Sequence, residues 1–243
     1  MAWLYLDPEL DRSLARVGAH VGISGEEARH AVQVARTRLG ERVSIGDGTG
    51  LILEGEVVQA DAAGLAIRVE RVVEEPVRLP ELWLAQALAK GDRDELAVQA
   101  ATELGATGIL PWQAERSVSR WAGPKAEKGR ARWGAIVREA SKQAIRAHVP
   151  EVAPLASTAE LAAFDGLVVV LDPRAGESLM ELEPQGVRRI LLVVGPEGGI
   201  SPRELETLAA AGARPMRIGG AVLRTSTAGP AALAVLNTRL ARW

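Results

Sequence analysis

The first 75 residues consist of short apolar runs separated by polar turns, with one helical stretch among them. Ser24 and Glu27 have the spacing of a capping box, which predicts a helix that continues to Leu39. Asp47 and Gly48 form a strong turn signal. The apolar runs around and after this turn predict meander strands at Val43–Ile45, Leu51–Val58 and Leu65–Val73. The pattern indicates a small β-barrel-like domain.

A charged stretch with two prolines follows, over residues 74–80. Prolines and charges at a change of pattern are typical of a linker. We therefore predict one domain over residues 1–74 and a second over residues 75–243.

Strands and helices alternate through the second domain. The predicted strands are Leu82–Leu88, Gly108–Pro111, Leu167–Leu171, Ile190–Val194 and a short one near Pro215. One predicted helix runs from Asp92, capped with Glu95, to Leu104, and another runs from Lys125 to His148. Two more helices begin at capping residues: Ser157 with Glu160, and Ser201 with Pro202 and Glu204. The last predicted helix contains Leu233, Leu236 and Leu240. Fully apolar strands between helices predict a parallel sheet covered on both faces, which is the α/β class.

Composition narrows the class of protein. Hydrophobic residues make up 47% of the 243 residues and charged residues 25%, which is typical of globular proteins. We predict no membrane span, since no apolar run approaches the roughly 18 residues required. The sequence starts without a basic, apolar leader and contains no cysteine, so we expect a cytoplasmic protein. Its three histidines are far apart, and we expect no metal site.

Charge is distributed unevenly. Residues 1–75 hold 8 Lys/Arg against 13 Asp/Glu, whereas residues 113–150 hold 9 against 3 and include Trp121 and Trp133. Basic side chains with aromatic rings among them can neutralise phosphates and stack bases. A basic helix face exposed to solvent explains the same pattern. The charge of residues 113–150 alone therefore does not distinguish a nucleic-acid-binding surface from such a face.

The most informative stretch begins where the strand Ile190–Val194 ends. It reads Gly195-Pro196-Glu197-Gly198-Gly199 and is followed by a capped helix. Ligands of open α/β sheets bind at the carboxyl ends of the strands, where glycines let the backbone approach closely. An ordinary strand-to-helix turn is the alternative. The loop lacks the spacing of a Walker A or Rossmann motif, and no G-x-S-x-G elbow occurs in the chain.

A second glycine loop follows in Ile218-Gly219-Gly220-Ala221-Val222-Leu223-Arg224-Thr225-Ser226-Thr227-Ala228. With GPEGG, it resembles the cofactor loops of the SPOUT class of RNA methyltransferases, and most closely the RsmE family. Further matching motifs are His30-x-x-x-Val34-Ala35-Arg36, Gly46–Gly50, Lys90-Gly91-Asp92-Arg93, Thr102–Gly105, Glu115-Arg116-Ser117 and Glu139–Arg146. The resemblance covers nearly the whole chain in order.

The resemblance implies a PUA-like N-terminal β-barrel, a C-terminal domain with a deep trefoil knot, S-adenosylmethionine as methyl donor and a homodimer. It also implies methylation of N3 of a uridine in 16S ribosomal RNA of the small ribosomal subunit. The implied cofactor contacts are Leu171, Gly195, Pro196, Glu197, Gly198, Gly199, Ile200, Ile218, Gly219, Gly220, Val222, Leu223, Arg224 and Thr227. The matching motifs make His30, Arg36, Arg116 and Arg146 the implied RNA contacts, and the basic block over residues 113–150 adds Arg130 and Arg132 as candidates. For the dimer, the stripe Leu233, Leu236 and Leu240 offers a contact, unless it only covers its own sheet.

Two charged residues in these loops are candidates for catalysis. A guanidinium near a uridine carbonyl favours loss of the N3 proton, and Arg224 is our candidate for that role. Salt bridging or phosphate binding is its alternative. Glu197 can hold its loop by accepting backbone N–H groups or act as a base, and we favour the first.

The chain departs from the family pattern at three positions. Ser226 replaces a usual Glu, Ala100 replaces a common Lys, and Ala35 replaces a usual Leu. The glycine loops are intact. A catalytically idle ribosome-assembly factor and a SPOUT methyltransferase for another RNA remain alternatives.

Overall fold

The computed structural model describes residues 3–184 and 186–243. The chain forms two compact units. One comprises the residues up to Val77 together with Ser141–Val149, and the other comprises Arg78–Ala140 and Pro150–Trp243.

The first unit is built on a five-stranded curled sheet. Its strands are β1 (Leu4–Leu6), β2 (His20–Ile23), β3 (Arg42–Gly46), β4 (Leu51–Asp61) and β5 (Gly64–Glu74), in the order β1-β3-β4-β5-β2. The β1 strand is parallel to β3, and the other pairs are antiparallel. Alternate side chains of β4 and β5 point inward and are buried, namely Leu51, Leu53, Val57, Leu65, Ile67 and Val69. The Tyr5 hydroxyl lies 2.8 Å from the Thr37 hydroxyl within this core.

The helix of the first unit is shorter than the sequence predicts. Helix α1 covers Gly25–Arg29, a π-helical turn continues over His30–Val34, and Arg36 then takes a left-handed φ of +56°. The expected capping box is absent, because Ser24 makes no side-chain cap bond. Glu27 instead accepts the Leu6 N–H at 3.1 Å and pairs with Lys142 at 3.1 Å. The Glu27 carboxylate is thus bound by residues distant in the sequence and not by the capping position of its own helix.

The second unit contains a seven-stranded sheet in which every pair is parallel. Its strands are β6 (Glu81–Ala87), β7 (Gly108–Trp112), β8 (Glu151–Val152), β9 (Leu167–Leu171), β10 (Glu177–Ser178), β11 (Arg189–Val194) and β12 (Arg214–Arg217). The order is β10-β12-β9-β11-β6-β7-β8. The predicted α/β class with a parallel sheet is confirmed, and Leu167–Leu171 has the predicted bounds.

Five helices accompany this sheet: α2 (Arg93–Glu103), α3 (Pro124–Gln143), α4 (Thr158–Ala162), α5 (Pro202–Ala210) and α6 (Thr225–Arg239). Leu161 of α4 and Leu208 of α5 join the core of Leu191 and Val193. The other face of the sheet packs on α6, where a Cβ on Gly229 would lie 2.8 Å from Leu84. Both faces are therefore covered, as fully apolar parallel strands require.

Three sequence predictions about the helices need correction. Helix α3 ends at Gln143 rather than His148, and Ile145 takes a left-handed φ of +52°. Asp92 precedes α2 with a left-handed φ of +58° and makes no side-chain cap bond. The leucine stripe of α6 covers its own sheet, because Leu233 and Leu236 are fully buried within the single chain.

Candidate functional site

A cavity of about 620 Å³ opens in the second unit at the carboxyl ends of β9, β11 and β12. Most of its lining comes from the ends of these three strands and the segments after them, residues 171–174, 194–200, 216–219 and 221–225. Ligands of open parallel sheets bind in this position because the strand ends bring several loops together. The two glycine loops identified in the sequence therefore meet in one place.

The first of these loops, residues 195–200, is held by the start of α5. Ser201 caps α5 in a full capping box with Glu204, and Pro202 occupies the first turn. Gly199 takes a φ of +70° and donates its N–H to the Pro196 carbonyl at 2.8 Å. The turn therefore requires glycine at this position.

Glu204 also ties this loop to two other segments. Its Oε1 accepts the Glu115 N–H at 2.8 Å and the Thr158 hydroxyl at 3.1 Å, while Oε2 accepts the Ser201 N–H at 3.0 Å. The residue is only 5% exposed. One buried carboxylate thus fixes the segment around Glu115 against the start of α5.

Arg116 contacts the glycine loop directly. Its Nη1 donates to the Gly198 carbonyl at 3.2 Å, and a Cβ on Gly198 would lie 3.2 Å from the Arg116 Cβ. The absence of a side chain at Gly198 therefore makes room for Arg116. Arg116, which the sequence predicts as an RNA contact, therefore also lines the cavity.

Glu197 holds a loop, as the sequence favours. Its Oε1 accepts the Lys90 backbone N–H at 3.3 Å and pairs with Arg93 at 3.2 Å. The carboxylate thereby joins the first glycine loop to the segment between β6 and α2. Arg93 also lines the cavity, although it was not predicted as a site residue from the sequence.

The second glycine loop is anchored through Thr225. The Thr225 hydroxyl donates to the Gly195 carbonyl at 2.8 Å and accepts a hydrogen bond from Gln86 Nε2 at 2.9 Å. A Cβ on Gly219 or on Gly220 would meet no atom within 4 Å. The loop therefore leaves open space beside its backbone.

Arg224 lies at the N-cap of α6 and lines the cavity. Among the described residues its exposed guanidinium has no hydrogen-bond or ion-pair partner. The side chain is therefore available to a ligand. Asp172 behaves differently, because its hydrogen bonds from Arg174, at 3.0 and 2.9 Å, hold the pKa of its carboxyl below the usual value. Asp172 is thus ionised at the cavity wall.

The structure brings most of the predicted cofactor residues together. The cavity is lined by Leu171, the segment Gly195–Ile200, Ile218, Gly219, Val222, Leu223 and Arg224. Of the described residues predicted for this role, Gly220 and Thr227 do not line it. Additional lining residues are Arg93, Asp172, Pro173, Arg174, Met216, Arg217, Ala221, Thr225 and Ala228. Asp172 and Pro173 are the residues that the sequence places beside the predicted contact Leu171, directly after a buried strand.

The predicted RNA contacts are spread over both units. Arg36 is exposed, and His30 has a buried Nδ1 that lacks a partner among the described residues. Burial lowers the pKa of Arg146 to about 10. In the second unit, Arg130 Nε donates to the Val152 carbonyl at 2.9 Å. Arg132 pairs with Glu95, its Nη2 donating at 2.7 Å.

The described residues form neither a metal site nor a membrane-spanning helix. Within residues 3–184 and 186–243, no group of three or more His, Asp or Glu side chains could hold a metal ion. Over the same residues, no helix has both the length and the apolar character that crossing a bilayer requires.

Comparison with known proteins identifies relatives along the whole chain. Residues 76–237 match the model of an RNA methyltransferase domain, and residues 23–70 match that of an RNA methyltransferase PUA domain. The chain is 41% identical over 238 residues to the Ribosomal RNA small subunit methyltransferase E of Mycobacterium bovis, covering 95% of this chain and 91% of that protein. The Bacillus subtilis protein of that name is 32% identical over 241 residues, covering 94% of each chain.

A solved structure shares the fold. It is a Ribosomal RNA small subunit methyltransferase E from Neisseria gonorrhoeae bound to S-adenosyl methionine. The two chains superpose with a TM-score of 0.85 and 28% identity, over 98% of each.

Proposed function

This chain belongs to the ribosomal RNA small subunit methyltransferase E family of RNA methyltransferases, and we propose that it methylates N3 of a uridine in 16S ribosomal RNA with S-adenosylmethionine as donor. The family resemblance predicted from the sequence is thereby confirmed. The observation that carries the proposal is the meeting of two glycine loops in one cavity at the ends of parallel strands.

The cavity suits S-adenosylmethionine in size and lining. Its volume of about 620 Å³ lies in the range of small-molecule sites. Leu171, Ile200 and Ile218 offer apolar contacts for an adenine ring, and the space beside Gly219 admits a ligand close to the backbone. The ionised Asp172 can accept hydrogen bonds from ribose hydroxyls or from an amino group. The residues present therefore fit this donor.

We assign donor binding to the cofactor residues that were predicted from the sequence. These residues are Leu171, Gly195, Pro196, Glu197, Gly198, Gly199, Ile200, Ile218, Gly219, Gly220, Val222, Leu223, Arg224 and Thr227. Gly220 and Thr227 act in this assignment by shaping the loop and the first turn of α6, since neither lines the cavity.

The chemistry requires a uridine anion beside an electrophilic carbon. S-adenosylmethionine supplies a methyl group activated by its sulfonium. Uridine N3 carries a proton near neutral pH, and release of this proton to solvent leaves negative charge that N3, O2 and O4 share. N3 then bonds to the methyl carbon as the bond from that carbon to sulfur breaks, which leaves S-adenosylhomocysteine. The unpartnered guanidinium of Arg224 donates to one of these oxygens and stabilises the anion. Glu197 holds the Lys90 loop, and its carboxylate is occupied by Arg93, which favours a positioning role over a base.

Basic side chains within each unit are the proposed RNA contacts. We assign phosphate or base contacts to His30, Arg36, Arg116, Arg130, Arg132 and Arg146. In this proposal residues 1–74 form a PUA-like RNA-binding domain and residues 75–243 form the methyltransferase domain, with a deep trefoil knot around the cavity loops. The curled five-stranded sheet and the parallel sheet support that division, while Ser141–Val149 belong to the first compact unit.

Two further features complete the proposal. We propose a homodimer, supported by the adjacent exposed apolar side chains of Val222 and Leu223, 81% and 37% accessible at the cavity loop of a single chain. We also propose a cytoplasmic location, because the small ribosomal subunit is the substrate.

The test maps the modified nucleotide. Small subunits lacking the methylation, protein-free 16S RNA and transfer RNA are each incubated with the protein and S-adenosylmethionine, and digests are analysed by mass spectrometry. We expect one N3-methyluridine in 16S RNA. Methylation of a different base, methylation only of transfer RNA, or no transfer with a protein that binds the donor would each overturn the assignment.

A further inference from the structure

A second cavity, of about 360 Å³, lies in the same unit beside the first. Its wall is formed by the segment Ala89–Glu95, by the residues from Val118 to Trp121, and by the face of α3 that carries Gly129, Arg132 and Trp133. The proposed reaction does not use this cavity. Its lining therefore needs a separate explanation.

The most specific part of the lining is Trp121. Its ring packs against that of Trp133, with centroids 5.2 Å apart and planes inclined by 71°. A Cβ on Gly129 would lie 2.4 Å from the Trp121 ring, so glycine at this helix position allows the ring to lie against α3. The Trp121 backbone N–H donates to Gln113 Oε1 at 2.9 Å. A partly exposed aromatic ring is thus held in one orientation at the cavity wall.

The segment Lys90–Arg93 links the two cavities. Arg93 lines the first cavity, and Lys90 lines the second. Three residues of chain span at most about 11 Å between their Cα atoms. The segment is fixed by Asp94, which is buried and accepts the N–H groups of Ala89 at 3.1 Å and Glu95 at 2.9 Å. A single-stranded ligand in the first cavity therefore reaches the second within a few nucleotides.

The charged side chains of the second cavity differ in whether they are already paired or free to bind a ligand. Arg132 pairs with Glu95, so neither offers a full charge to a ligand. The exposed ammonium of Lys90 has no hydrogen-bond or ion-pair partner among the residues that the structure describes. Asp92 is exposed on the same segment and can accept a hydrogen bond from a base N–H. A fixed ring, a free cation and an acceptor are the groups that bind single-stranded RNA.

We propose that the second cavity binds an unpaired base of the substrate RNA close to the methylated nucleotide, stacked on Trp121, with Lys90 contacting the phosphate that connects the two sites. The inference rests on the proposed function, since it assumes a strand whose target nucleotide occupies the first cavity. It assigns to Trp121, Lys90 and Asp92 the recognition of the sequence beside the target.

The test compares Trp121→Ala and Trp121→Phe with the wild type. Stacking on an aromatic ring is worth enough that its loss raises the KM for undermethylated small subunits by about 5- to 100-fold. We expect this rise for Trp121→Ala, together with an unchanged affinity of this variant for S-adenosylmethionine. In Trp121→Phe, which keeps an aromatic ring, the KM should stay close to the wild-type value. Trp243→Ala is the matched control, because Trp243 is 67% exposed and lines neither cavity.

A second variant keeps the test valid if Trp121→Ala fails to fold. Lys90→Gln removes an exposed, unpaired charge, so the slope of log affinity against log salt should decrease by about 0.7. RNA carrying 4-thiouridine beside the target nucleotide should also crosslink to the peptide that contains Trp121.

Three results would overturn the inference. They are a wild-type KM in Trp121→Ala with intact donor binding, an unchanged salt slope in Lys90→Gln, and a raised KM for assembled subunits but not for protein-free 16S RNA. The last would indicate a ribosomal protein as the occupant. Wild-type protein that methylates no RNA would instead overturn the proposed function itself.

Discussion

Arg116 and Gly198 are fitted to each other at the edge of the first cavity. The Arg116 guanidinium donates to the Gly198 carbonyl at 3.2 Å. A Cβ on Gly198 would lie 3.2 Å from the Arg116 Cβ and 3.4 Å from its carbonyl oxygen. The absence of a side chain at Gly198 therefore allows the segment of Arg116 to pack closely against this loop. Arg116 in turn binds a carbonyl of a loop that lines the cavity.

This relationship predicts that both residues control donor binding. Arg116→Ala should weaken S-adenosylmethionine binding about 5-fold, because the loss of one charge-assisted hydrogen bond costs roughly 1 kcal/mol at an exposed site. Gly198→Val should weaken it more than 10-fold, since the added methyl groups displace the Arg116 backbone. Isothermal calorimetry measures both affinities. Arg203→Ala, an exposed arginine outside the cavity, is the control, and wild-type affinity in both test variants would contradict the prediction.

The adjacent glycines Gly219 and Gly220 offer a matched comparison. Neither has a positive φ, and a Cβ on either would meet no atom within 4 Å, so Gly219→Ala and Gly220→Ala should both fold normally. Only Gly219 lines the cavity. We expect Gly219→Ala to lower donor affinity at least 10-fold and Gly220→Ala to lower it less than 3-fold. Equal affinities, measured by calorimetry, would mean that the donor does not approach Gly219.

The features that the sequence predicted well depend on neighbouring residues. Strand β9 has its predicted bounds because all five of its residues are apolar, and the capping boxes at Ser157 and Ser201 form as their spacing indicates. The glycine loops were found for the same reason, since each follows a strand directly. Their meeting in one cavity follows from the parallel strand ends.

The features that the sequence missed depend on long-range partners. Glu27 has the spacing of a capping residue, but it accepts the N–H of Leu6, 21 positions away. Glu204 does close its capping box, yet it also accepts the Glu115 N–H, 89 positions away. Arg93 lines the cavity and donates to Glu197, 104 positions away. No local pattern contains such pairs, so the polar supports of the site became visible only in the fold.

Asp47 makes the stability of the first unit depend on pH. Burial acts to raise the pKa of its carboxyl, but hydrogen bonds from the Thr49 hydroxyl at 2.7 Å, from two backbone N–H groups and from Arg12 outweigh burial and lower it. A lowered pKa in the folded state adds stability above the unfolded pKa near 4, and this stability is lost as the pH falls through the folded value.

Asp47→Asn should therefore reduce the free energy of unfolding by about 2 kcal/mol at pH 7. The difference from the wild type should shrink steadily below about pH 4. Urea unfolding at a series of pH values measures it, and Glu9→Gln, at an exposed acid of the same unit, is the control. A difference that stays constant down to pH 2 would show that the charge of Asp47 contributes nothing.

The structure ranks two of the proposed RNA contacts. Arg36 is exposed and has no side-chain partner among the described residues, whereas Arg132 is already paired with Glu95. If both face phosphates, Arg36→Gln should decrease the salt slope of RNA affinity by about 0.7 to 0.9, and Arg132→Gln should decrease it by less. Filter binding to 16S RNA over a range of salt concentrations measures the slopes. The reverse ranking would place the RNA mainly on α3.

Arg224 is the residue on which the proposed chemistry depends. Arg224→Ala keeps the backbone of this residue at the cavity wall, so donor binding should be nearly unchanged. Loss of the guanidinium should lower the rate of methyl transfer about 100-fold or more, the size expected for one preorganised donor to a developing anion. Arg224→Lys should recover only part of the rate, because an ammonium lacks the planar fork of a guanidinium. Ser226→Glu, which restores the usual family residue, should change the rate by no more than a few-fold.

Single-turnover rates with saturating donor and RNA separate the possible roles of Arg224. A phosphate contact would affect RNA affinity and leave the single-turnover rate intact, since binding is complete under these conditions. That result in Arg224→Ala would show that the residue binds RNA and does not stabilise the anion. A hundredfold gain in Ser226→Glu would instead mean that the missing acid limits catalysis on this RNA, so that the substrate itself would have to be determined again.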